Sequence, residues 1–200
     1  MEFSKYIVPI FSDGDFNGNG FIINNGMLIT AYHVFEDGSR FSFRYDGIDY
    51  EIKPDNNLLE RDKEYDWITP NISHDLYLCK TNVEGSDLEL SQDYCQNQEF
   101  EYCGFTSEGN SNLSKDHIII GRVFRNKALT KFCGRCVELE NCMTCIYELH
   151  KGNSGGPIFQ GKSIVGMLIG YYQPRGGNVE SVIMKANYII SEIEGYLKVV

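Results

Sequence analysis

Short apolar, β-branched runs recur along the chain: "KYIVPIF", "GFIINNGMLITAYHVF", "RFSFRYDGIDYEI", "DLYLCKT", "EFEYCGF", "HIIIGRVF", "CVELE", "CIYELH", "GPIFQ" and "SIVGMLIGYY". Turn-forming groups separate them, among them "DG", "NNG", "GNG", "PDNN" and "RGG". Many short strands with turns between them predict a β-barrel or sandwich rather than strand–helix–strand units. The alternation lapses between Thr81 and Gln98, which places a linker at about 82–98 between a first half, 1–85, and a second, 86–185. A second polar stretch, "TSEGNSNLSKD" from Thr106 to Asp116, reads as a loop between two strands. Over 186–200 the period changes. Ala186, Ile189, Ile190, Ile193, Leu197 and Val200 follow helical spacing, so a terminal helix packed on the second half is expected, with Gly195 loosening its last turns. No internal repeat is visible.

A chain of 200 residues with 42% hydrophobic content can bury one large all-β domain or two small barrels. Its 18 basic and 28 acidic residues give a net charge of −10 with no local Lys/Arg cluster. Nucleic-acid binding is thereby disfavoured, since it needs a positive face to displace counterions. A basic peptide is the more natural partner. The first apolar run, Tyr6 to Phe11, is too short and too soon followed by acids for a secretory signal. The longest, around "SIVGMLIGYY", is about half a membrane span, so no membrane partner is expected. Seven cysteines, an odd number, fit free thiols or a metal site in a reducing cytoplasm better than a closed disulfide framework.

The stretch "HKGNSGGPIF", His150 to Phe159, sets Ser154 among three glycines. Glycine serves where the backbone needs positive φ or where another group must approach it closely. A tight turn between strands is one reading. The other is a nucleophile whose neighbouring N–H groups face a developing oxyanion, which requires a base and a group to orient that base. "MLITAYHVF" places His33 just after an apolar strand, and "SHDLYLCK" places Asp75 at the start of another. Either alone could be structural. Together with Ser154 they stand in chain order His, Asp, Ser, each at the edge of an element.

"LITAYH", "HDLYLCK" and "GNSGGPIF" resemble the three motifs of the chymotrypsin/trypsin-like serine protease family, and the chain order is that family's. The resemblance runs from about Gly18 to Ile190. It implies two antiparallel six-stranded β-barrels with a C-terminal α-helix, and a cleft between the barrels that takes a protein or peptide substrate. It further implies that His33 accepts the Ser154 proton, that Asp75 orients His33, and that the N–H groups of Gly152 and Ser154 form the oxyanion hole. Peptide hydrolysis would run through an acyl-enzyme, with no cofactor for catalysis. An inactive relative that holds a peptide in the same cleft is the competing reading.

Several positions depart from the digestive and clotting members. Asn153 stands where they carry the aspartate that pairs with a newly cut N-terminus, and no Ile-Val-Gly-Gly-like start is present. The resemblance is therefore to intracellular, bacterial or viral members, which lack that zymogen step and whose activity is often limited by loop order or a regulatory partner. Val34 and His150 occupy positions where secreted members carry cysteines, in keeping with a reducing compartment. His74, beside Asp75, reads as a surface or bridging residue. Glu148, six residues before Ser154, is either the acid at the base of a pocket for basic side chains or a solvent-facing glutamate. Gly170 and Tyr171 fall on the pocket wall, where the bulk of Tyr171 would favour a small residue instead.

"CGRCVELENCMTC" holds two Cys-x-x-Cys pairs, Cys133/Cys136 and Cys142/Cys145. Two such knuckles can hold a structural zinc tetrahedrally, although the intervening segment is shorter than usual. Free buried thiols, disulfides or a redox switch are the alternatives. Cys79, Cys95 and Cys103 read as small core residues.

Overall fold

The computed structural model describes residues 5–35, 38–53, 56–59, 75–108, 112–132, 135–149, 152–173 and 176–199. Six strands form the first sheet: β1 (Ile7–Ser12), β2 (Asp15–Ile22), β3 (Met27–Thr30), β4 (Phe41–Tyr45), β5 (Ile48–Ile52) and β6 (Tyr77–Lys80), in the order β5-β4-β1-β2-β3-β6. Asp13-Gly14 and Asp46-Gly47 have positive φ throughout, the two-residue turn whose twist matches paired strands, and they join β1 to β2 and β4 to β5. The sheet rolls over its apolar face. Leu58 N–H donates to Leu78 O on β6, and residues of β5 and β6 line one shallow pocket.

The second half contains β7 (Phe100–Glu108), β8 (Asn112–Gly121), β9 (Val123–Arg125), β10 (Ala128–Phe132), β11 (Arg135–Leu139), β12 (Cys142–Cys145), β13 (Pro157–Gln160), β14 (Ser163–Tyr172) and β15 (Glu180–Lys185). β10 and β11 form a hairpin, and the others a seven-stranded sheet ordered β8-β7-β13-β14-β15-β12-β9. All named strand pairs are antiparallel. The chain is thus mostly β, with two antiparallel sheets and one C-terminal helix, α1 (Ala186–Val199). No helix among the described residues is long and apolar enough to cross a membrane.

Local details differ from the sequence reading for identifiable reasons. "GNG" lies inside β2 and makes no turn, because its glycines admit close neighbours: a Cβ on Gly20 would meet Leu28, the Ile29 carbonyl and Ile10 within 3.0–3.2 Å. The polar stretch 106–116 is largely strand, since β7 and β8 stay paired out to Glu108↔Asn112. Thr106 Oγ1 donates to Asp116 across that pair, so its polar side chains satisfy one another. From Ile146 to Leu149 "CIYELH" is not a strand, because pairing with β15 ends at Cys145 and Tyr147 N–H turns back onto Cys145 O. The linker is packed rather than free: Leu88 is buried and Leu90 bridges Ile164. On α1 the buried stripe is Ala186, Ile189 and Ile193, while Leu197 projects into solvent.

Candidate active site

β3 carries an apolar run, Met27 to Thr30, wholly buried, and the chain leaves it in a short 3-10 turn, Tyr32–Phe35, that anchors itself through Val34 and Phe35. His33 is thus held at the end of a rigid strand with its side chain partly in solvent. Asp75, 5% exposed, lies just before β6, the strand paired with β3. Its two carboxylate oxygens grip one residue: Oδ1 accepts the His33 backbone N–H at 2.8 Å and Oδ2 lies 2.5 Å from His33 Nδ1. A carboxylate against Nδ1 places the imidazole proton there and makes Nε2 the ring's acceptor nitrogen.

Ser154 sits in a turn between the buried Asn153 and Gly155, with Gly152 at φ +94° and Gly155 at φ +80°. β2 ties this turn to the histidine. Asn17 Nδ2 donates to Val34 O at 2.6 Å, and Asn19 N–H donates to Ser154 O at 2.8 Å. Between them is Gly18, whose Cβ, if present, would lie 2.8 Å from the Val34 side chain and 3.1 Å from Ser154 O. The residue after His33 and the carbonyl of Ser154 therefore approach one point on β2. Among the described residues no hydrogen bond ends on the N–H groups of Gly152 and Ser154, and none on Ser154 Oγ. Without substrate, such nucleophile–base contacts are often long and close only on binding.

Gly155 has no room for a side chain: a Cβ would stand 2.0 Å from Asn19 O and 2.4 Å from Thr30 Oγ1. Gly155→Ala combines this overlap with left-handed strain, and a loss of about 3 kcal/mol in stability is expected. Chemical denaturation measures it. A loss under about 1 kcal/mol would mean that the turn is not held this tightly.

The sequence profile of the trypsin family matches residues 4–193, almost the whole chain. The chain belongs to the trypsin family. Solved structures with the same fold include the active form of the Rv3671c protease from M. tuberculosis, at 15% identity and TM-score 0.64, covering 95% of this chain and 80% of that one. The MamO protease domain from Magnetospirillum magneticum is 18% identical with TM-score 0.63, covering 94% and 95%. A human pathogenic astrovirus serine protease is 14% identical with TM-score 0.52, covering 90% and 89%. No curated protein sequence matches significantly. In this trypsin-family chain His33 and Asp75 come from the first sheet, and Ser154 from the turn before β13 in the second.

The segment of Glu148 adjoins the strands of Gly170 and Tyr171, since Ser181 Oγ donates to Tyr147 O and Ser181 pairs with Tyr171. Glu148 is exposed, in the irregular segment after β12. Gly170 lies at the bulge where β14 shifts register against β15, and Tyr171, 65% exposed, pairs with Ser181 near the end of that ladder. A glutamate that is buried is Glu180, whose carboxylate accepts hydrogen bonds from Thr144 Oγ1 at 2.8 Å and Arg125 Nε at 3.2 Å. His74 and His150 lie outside the described residues.

Of the four clustered cysteines, Cys142 and Cys145 do not converge on a common point. Cys142 and Cys145 are three apart on β12, so their side chains leave opposite faces of the strand. Cys142 joins the apolar layer that also contains Ile189 and Ile193 of α1, and Cys145 packs with Leu149, Ile158 and Ile183. Cys133, and the side chain of Cys136, lie outside the described residues. Burial pushes the thiols of Cys103, Cys142 and Cys145 up to about 12 and that of Cys79 to about 11. Cys95, expected in the core, is exposed. Native alkylation at neutral pH should therefore modify Cys95 well before these four, which should react only on unfolding. Peptide mapping by mass spectrometry checks the order, and fast native labelling of Cys142 or Cys145 would contradict it.

Three residues bearing on the site escaped the sequence reading: Asn19, Thr30 and Tyr102. Asn19 is completely buried in β2 between two glycines. A polar residue flanked by glycines within an apolar run was the signal available.

Proposed function

We propose that this trypsin-family chain is a serine endopeptidase. The observation that carries the reading is the two-point grip of Asp75 on His33, delivered by β2 to the turn that bears Ser154. His33 Nε2 takes the Ser154 proton as Oγ attacks the substrate carbonyl. Asp75 holds the tautomer and stabilises the imidazolium that forms. The free N–H groups of Gly152 and Ser154 receive the developing oxyanion, worth on the order of 3 kcal/mol per donor in such sites. The imidazolium then protonates the leaving amine, and water cleaves the acyl-enzyme by the reverse sequence. No cofactor takes part.

The family implies protein or peptide substrates. The net charge of −10 favours basic segments, and the set of buried free thiols suits a reducing cytoplasm. A regulatory partner is a further element of the proposal. Because Glu148 is exposed and Tyr171 projects into solvent, the residue preferred before the scissile bond is decided by a mixed peptide library rather than by either side chain alone.

The decisive experiment treats the protein with a serine-directed fluorophosphonate and, in parallel, with the library. Labelling confined to Ser154, together with hydrolysis, supports the endopeptidase. The absence of a hydrogen bond at Ser154 Oγ among the described residues favours a second reading, an inactive module that holds peptides. Peptide binding with neither labelling nor cleavage would establish that one.

A further inference from the structure

The turn that carries the oxyanion donors is gripped from behind by two side chains that no catalytic motif contains. Asn19 Nδ2 donates to Gly152 O at 2.8 Å, Tyr102 OH donates to Asn153 O at 3.2 Å, and the Asn19 backbone N–H donates to Ser154 O at 2.8 Å. Three consecutive carbonyls are thus drawn to one side. The hydroxyl also accepts from Asn153 Nδ2 at 3.1 Å and lies 3.3 Å from Asn19 Nδ2. Asn19 is fixed in turn by Phe105, whose N–H donates to Oδ1 at 2.6 Å and whose carbonyl accepts from Nδ2 at 3.1 Å.

The slot around the phenol is cut to shape. A Cβ on Gly104 would stand 2.1 Å from the Tyr102 hydroxyl, and one on Gly156 would stand 2.4 Å from its ring. Tyr102 is fully buried, and burial pushes its hydroxyl well above the ordinary range, so it remains a donor throughout the working pH range. A peptide unit is planar and trans, so a carbonyl and the N–H of the next residue point in opposite directions. Holding Asn153 O inward against Tyr102 therefore holds Ser154 N–H outward.

We infer that Tyr102, supported by Asn19 and the Asn153 side chain, is a positioning residue that keeps the Ser154 amide aimed at the substrate carbonyl. The inference rests on the endopeptidase reading and goes beyond it. Preorganised donors stabilise a transition state because nothing must reorient as charge develops. Here the arrangement is supplied by an amide–phenol network internal to the fold, with Asn153 bonded to Tyr102.

The test is Tyr102→Phe, which keeps the ring in its slot and removes only the hydroxyl. Turnover per titrated active site should fall on the order of 10- to 100-fold with KM within about threefold. Affinity for a peptide boronate, which presents a tetrahedral oxyanion, should fall by a similar factor, while binding of the cleaved peptide product stays unchanged. A role confined to stability would lower the melting temperature and leave turnover per site and boronate affinity intact, and that result overturns the inference. If Tyr102→Phe does not fold, Asn153→Ala carries the test: a several-fold loss of turnover at unchanged KM supports the network, and full turnover overturns it. Wild type that neither hydrolyses the library nor labels at Ser154 defeats the endopeptidase reading itself, and the inference with it.

Discussion

Ser154→Ala should lower turnover on the best library peptide by roughly 10⁶-fold, to the level that binding and the oxyanion donors sustain without a nucleophile. The fold should survive, because Ser154 Oγ has no hydrogen bond among the described residues and the turn is held through its main chain. Peptide binding measured by calorimetry should persist. Adding His33→Ala to this variant should cost little more, since the two side chains act as one unit and neither functions without the other. Steady-state kinetics on the single and double variants measures both effects. Equal turnover in wild type and Ser154→Ala would end the serine-protease proposal, and a further large loss in the double variant would show that His33 works elsewhere.

Asp75→Asn is the second large effect, with a drop in turnover on the order of 10⁴-fold expected. The substitution is nearly isosteric, and an asparagine oxygen can still accept the His33 backbone N–H that now bonds to Oδ1. What changes is the other atom. An amide NH₂ facing Nδ1 forces that nitrogen to accept, so the imidazole proton moves to Nε2, and the face toward Ser154 loses its base. The melting temperature should move far less than the rate. Kinetics and calorimetry on the same preparation separate the two, and a loss of less than tenfold would mean that Asp75 does not set the histidine tautomer.

Much of the architecture could be read because short-range rules apply to it. Alternating apolar runs and the Asp-Gly turns predict paired strands, and the change of period at Ala186 predicts the helix. His33, Asp75 and Ser154 were picked out by their combination, since only the serine motif is distinctive alone and the chain order and resemblance to the family's motifs supply the other two. The rest depends on contacts between distant segments. Asn19 and Tyr102 are 83 residues apart and look ordinary in their own runs; only the folded chain joins them to Gly152 and Asn153. "GNG" illustrates the same limit, because glycine allows both a turn and a close approach, and only the neighbours of Gly18 and Gly20 tell which applies. Glu148 was found by counting back from Ser154, and a count carries no information on burial. Glu180, a glutamate that the fold does bury, needed the pairing of β12 with β15 to be seen.

Beside the Asn19 side chain on Gly152 O, β2 is linked to the Ser154 turn by main-chain atoms, the Asn19 amide on the Ser154 carbonyl, with Gly155 N–H likewise on Leu168 O. Every residue except proline can supply such an amide, and every residue supplies the carbonyl. Mutational drift at these donor and acceptor positions does not by itself sever the joint. It is broken chiefly where a side chain must be absent, at Gly18 and Gly155. A chain can therefore replace most of its residues and still bring its two halves into register, which accounts physically for one three-dimensional arrangement shared with bacterial and viral proteases at 14–18% identity.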